Sequence, residues 1–166
     1  MAGMIDQLAE IMEEQAQKYG ELLGLSEEKK EAIIKNDIST LQKLTNLENM
    51  VISQNNRLEK KRLSLGKDIA EVLGKKEDEL DLNTLISLLP DQTDKDMLKN
   101  VGDRIREVVS NLKLANEQNN NLIQNALDYI EYSVNVMRSA ANPERSKVPI
   151  VNGNISDASG SFDTKS

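Results

Sequence analysis

Carboxylates supply most of the reactive groups in this chain, with 28 Asp and Glu against 21 Lys and Arg, no His and no Cys. The pairs Glu13-Glu14, Glu27-Glu28 and Asp94 with Asp96 have the residue types that general acid–base catalysis uses. Their spacing works against it, because residues one or two apart on a helix point in different directions and stay solvated. Without imidazole or thiol there is no base poised near neutral pH, no thiolate nucleophile and no zinc site of the usual kind. Ser and Lys occur throughout, but no strand–turn–helix context surrounds them to make a nucleophile elbow or a phosphate-binding loop. The chain therefore reads as a binding protein, not an enzyme, with no cofactor and no metal.

A second set of polar residues stands where apolar ones are expected. Glu48, Asn55 and Arg62 interrupt one hydrophobic stripe at spacings of seven, and Asn116 and Asn119 sit within another. Asn is a poor helix former, since its amide competes with the backbone for hydrogen bonds. Residues of this kind at packed positions set register between helices, as buried Asn does in coiled coils. Glu48 and Arg62 lie four turns apart and cannot pair within one helix, so the partner of Arg62 is expected from elsewhere.

The elements that carry these residues follow from the apolar periodicity. From Met4 to about Ile34, Ile5, Leu8, Met12, Tyr19, Leu22, Leu23, Ile33 and Ile34 recur at spacings near three and four, with Gln15, Ser26 and Lys29 filling gaps. That predicts one helix about 45 Å long at 1.5 Å per residue, with Glu14 placed to pair with Lys18. Asn36 and Asp37 favour a turn, and Asp37 caps a second helix starting at Ile38 and stopped by Gly74. Its stripe runs Leu41, Leu44, Glu48, Val51, Asn55, Leu58, Arg62, Leu65, Ile69 and Val72. A short helix carrying Leu82, Leu85, Ile86, Leu88 and Leu89 is capped by Asp81 or Asn83 and ends before Pro90. Thr93 or Asp94 then caps a third long helix reaching about Ser139.

That last helix has two stripes. The first is Val101, Ile105, Val108, Leu112, Ala115, Asn119, Leu122, Ala126, Tyr129 and Ser133; beside it run Val109, Leu112, Ile123, Leu127, Ile130, Val134 and Met137. Two readings of the width stand: contact with both other helices of the bundle, or a surface for a partner. After Asn142-Pro143 the sequence turns rich in Ser, Gly, Asn and Asp. The fold expected is all-α: an elongated antiparallel bundle of three long helices with a short connecting helix over residues 1–141, and a flexible C-terminal tail over 142–166.

Composition limits the partners. Charged residues make up 30% of the chain and aromatics 2%, the balance of surface-rich helices. A net charge of −7, with both signs interspersed, suits neither nucleic acid nor an anionic membrane. No segment approaches the roughly 20 apolar residues that span a bilayer. The opening MAGMIDQLAEIMEEQ turns acidic where a signal peptide would show a basic start, so a cytoplasmic location is expected.

The order of these elements resembles a family, the flagellar export chaperones of the FlgN type. That family shows a "GD"-like turn, then leucines and a glutamate, an "LE..R" element, a "TL..L" connection and a last helix with "N..N..L". Asn36-Asp37, then Leu41, Leu44 and Glu48, then Leu58-Glu59 with Arg62, then Thr84-Leu85 with Leu88, and finally Asn116, Asn119 and Leu122 match in that order, within residues 5 to 138. Asn36 stands where the family often has Gly, and Val151-Asn152-Gly153 replaces the tyrosine before glycine that some members carry. The resemblance implies a cytoplasmic protein that holds hook-filament junction (hook-associated) proteins by their helical terminal segments and delivers them to the export gate at the membrane. The physics of that hold is an amphipathic helix laid on an apolar stripe. The residues expected to meet the partner are Ile123, Leu127, Ile130, Val134 and Met137 on the last helix, with Val148, Ile150, Val151 and Phe162 as anchors in the tail. A coiled-coil scaffold or tether that self-associates through the same stripes is the alternative, and homo-oligomerisation stays open.

Overall fold

The computed structural model describes residues 2–141. The described part is all-α: α1 Ala2–Ile34, α2 Ile38–Leu73, a 3-10 turn Glu77–Glu79, α3 Leu82–Leu88 and α4 Gln92–Ala141. It divides into two units, residues 1–117 and the unit beginning at Gln118. The tail anchors expected at Val148, Ile150, Val151 and Phe162 lie outside the described residues.

Helix boundaries in the first unit follow from local chemistry. Asn36 takes the left-handed conformation at φ 57°, its amide donates to the Ile33 carbonyl, and the Asp37 amide reaches back to Ala32. Gly74 does the same for α2 at φ 66°, with the Lys75 amide on the Ala70 carbonyl. Both helices thus end in the same left-handed motif, with Asn once in the role Gly more often fills. Asp37 caps α2 through the Thr40 amide and hydroxyl, and those hydrogen bonds, led by the hydroxyl's, hold its carboxyl below the usual range. Asp81, not Asn83, caps α3 by accepting from the Thr84 amide at 2.7 Å.

The cap of α4 differs from expectation. Asp91 takes that place in front of Thr93 and Asp94, accepting from the Thr93 amide at 2.9 Å. Pro90 is the cause: it keeps Leu89 extended at ψ 135°, and Asp91 is the first side chain after that extended step able to receive the free amides. Helix α4 also runs past Ser139 to Ala141, and Lys18 pairs with Glu21 at 3.5 Å in place of Glu14.

The core of this unit gathers Ile5, Leu8, Ala9 and Met12 of α1, Ile69 of α2, Leu85 and Leu89 at α3, and Leu98 and Val101 of α4. Ile5, Ile69 and Leu98 are fully enclosed. Each such side chain contributes roughly 1.5–3 kcal/mol by leaving water, which is what a seven-residue helix such as α3 needs to form at all. Gly102 lets α3 approach, since a Cβ there would stand 2.8 Å from Leu82 Cδ2.

Candidate partner-binding face

Away from that core, Leu22, Ala32, Leu44, Val51 and Leu58 are also buried, and polar pairs link the helices beside them. Three of these pairs fall at the gaps in the stripe of α1, Gln15, Ser26 and Lys29. Gln15 is buried, and its Nε2 donates to Glu59 Oε2 at 2.7 Å. Lys29 Nζ donates to both carboxylate oxygens of Glu48 at 3.3 Å. Because 15 meets 59 and 29 meets 48, α1 and α2 run antiparallel. Ser26, also buried, donates from Oγ to Asn116 Oδ1 at 3.0 Å, and Arg104 binds Glu13 through both guanidinium nitrogens, so α1 and the first part of α4 run parallel.

Arg62 departs from its expected role. Its partner is Glu59 on the same helix, with Nε at 3.0 Å from Oε2, and the link between helices passes through Glu59 to Gln15. The hydrogen bond from Arg62 is the main reason the Glu59 carboxyl sits below its ordinary range; burial opposes this and Gln15 adds to it. The spacing of three between the two residues was the signal for this pair, obscured by reading Glu48 and Arg62 as one stripe. Asn55 is buried between Val51 and Leu58, and its Oδ1 meets no donor among the described residues.

The second unit presents a different surface. Asn119 is buried, while Asn120, Asn121 and Asn125 are exposed. Of the residues expected to meet a partner, Ile123 is half-buried and Leu127, Ile130, Val134 and Met137 are exposed, Met137 at 69%. Tyr129 belongs to the stripe expected to pack inside the bundle, yet it is 71% exposed. Tyr132 and Val136 are exposed as well, and sequence reasoning passed over them. For Val136 the signal was present, since Leu122, Tyr129 and Val136 repeat every seven residues; Tyr132, preceded at that spacing by Asn125, had none.

Charges on this stretch keep to the opposite side. Asp128, Glu131 and Arg138 share a narrow strip with Gln124 and Asn135, and Gln124 donates to Asp128 at 3.0 Å. Such a surface suits apolar docking of another helix. Among the described residues no cluster of carboxylates is placed to hold a metal ion, and no helix is long and apolar enough to cross a membrane. The family model described as FlgN protein matches residues 1–147. No curated protein and no solved structure matches the chain significantly.

Proposed function

Since the chain belongs to the FlgN family, chaperones of flagellum biogenesis, we propose that it is a cytoplasmic export chaperone that binds the terminal helical segments of hook-filament junction proteins, prevents their premature assembly and delivers them to the export gate. The reading is one of binding and release with no catalytic step. It takes residues 1–141 as an elongated antiparallel bundle of three long helices and residues 142–166 as a tail that adds anchors. The observation that carries it is the exposure of Leu127, Ile130, Val134 and Met137 at alternating spacings of three and four on α4. A cargo helix laid on them exchanges water for apolar contact on both sides. The cargo segment loses chain entropy as it orders, which keeps the complex reversible enough for hand-over.

The test is calorimetric titration of full-length protein, and of residues 1–141, with the terminal segment of a junction protein. Ile130→Asp should weaken binding roughly 30-fold, the loss expected of a central apolar contact worth about 2 kcal/mol. Failure of the full-length protein to bind any of several such segments refutes the proposal. Loss only in residues 1–141 moves the site to the tail.

A further inference from the structure

The apolar face of α4 is wider after Asn120 than before it, and the change falls on one heptad position. Lys99, Arg106, Lys113, Asn120, Leu127 and Val134 follow one another every seven residues in the sequence of α4. The first four are exposed and polar, the last two exposed and apolar. The neighbouring line is apolar except at Asn119 and Ser133. It starts as Leu98, Val101, Ile105 and Leu112 and continues with the same spacing through Leu122, Tyr129 and Val136.

In the first unit that single line suffices for two helices. Leu98 and Val101 enter one core with Ile5 and Leu8 of α1 and with Ile69 of α2, while the cationic line beside them stays in water. Past Asn120 the line persists and a second, Ile123, Leu127, Ile130, Val134 and Met137, is added to it. At 100° per residue the two together cover about 180° of the helix, and the charged residues are confined to about 80° on the other side. An apolar stripe of about 100° faces one packed neighbour, so this surface has room for two.

Resting on the chaperone reading, we propose that the C-terminal part of α4 holds two amphipathic helices of one partner chain at once, one on each line. Continuity supports this occupant, because the line through Tyr129 and Val136 repeats the spacing by which α4 already packs against the α1–α2 pair. Charge supports it too. Both lines are uncharged from Leu122 onward, so the helices they accept carry uncharged apolar faces. Joining the two helices in one chain makes the second docking intramolecular, which strengthens the complex without a new contact.

Titration of full-length protein with the two terminal segments of a junction protein, singly and joined by a flexible linker, reads this directly. The joined probe should bind one to one and at least 10-fold tighter than either segment. Val134→Lys, which restores the cationic period of the first part of the helix, should bring the joined probe to the affinity of a single segment. Val136→Lys should do the same from the other line, and each variant should abolish binding of one segment and spare the other. Both positions are exposed, and an unchanged circular dichroism spectrum confirms that the variants fold. A single segment that binds as tightly as the joined probe and is lost equally in both variants overturns the two-helix site and leaves the chaperone reading standing. Two partner chains per protein, self-association lost in Val134→Lys, or tighter binding by residues 1–141 overturns it as well, assigning the second line to another cargo copy, to a second copy of this chain or to its own tail. No binding by any probe refutes both proposals.

Discussion

Lys29 and Glu48 form an ion pair across α1 and α2 with side chains only 18% and 19% exposed and both N–O distances at 3.3 Å. Replacing Lys29 with Met keeps the length and helix propensity of the side chain and removes its charge. Glu48 is then left largely enclosed with no cation. Breaking a fully buried pair costs about 3–5 kcal/mol, and the remaining exposure at this site lowers the expected loss to about 1–2 kcal/mol. Glu48→Met should cost a similar amount, because it strands the ammonium. The double variant replaces the pair by two apolar side chains of fitting size and should lie within about 1 kcal/mol of wild type. The coupling energy is then about 1–3 kcal/mol, readable from urea unfolding followed at 222 nm provided the m-value is constant across the cycle. If the two single losses add in the double variant, or if each is below about 0.3 kcal/mol, the pair is an ordinary solvated contact and the register argument fails.

Asn55→Leu should stabilise the protein by about 1–2 kcal/mol in the same assay, because a buried amide oxygen with no donor gives way to apolar contact. Gly24→Ala should add about 1 kcal/mol, as nothing lies within 4 Å of the new methyl, whereas Gly102→Ala should gain nothing because the clash with Leu82 offsets the propensity. Thermal melts separate these two, at roughly 2–4 °C per kcal/mol. The Glu59 carboxyl is held below its ordinary range, chiefly by Arg62, so its contribution is present above the unfolded carboxylate range near pH 4 and disappears as pH falls through the lower folded value. Denaturation of wild type and Glu59→Gln at several pH values should therefore show a stability gap at pH 7 that closes toward pH 3.

The sequence by itself was enough for the helices and most of their ends. A spacing of three and four, Asp37 and Asp81 as caps, and a left-handed Asn36 are matters of local backbone chemistry, and nearby residues decide them. Pro90 shows the limit of that reach: its effect on Leu89 was legible, but the shift of the α4 cap to Asp91 depended on which side chain met the free amides. The polar residues on the stripes were also visible.

Tertiary structure decided who pairs with whom. Gln15 could not announce Glu59, nor Ser26 announce Asn116, because those partners are 44 and 90 residues away and meet only once helix order and register exist. The same holds for Tyr129, Tyr132 and Val136. Hydrophobic spacing says that a side chain is able to pack, but not whether anything covers it. On α4 the apolar side chains from Leu127 to Met137 are exposed, and that exposure is the observation on which the proposed binding face rests.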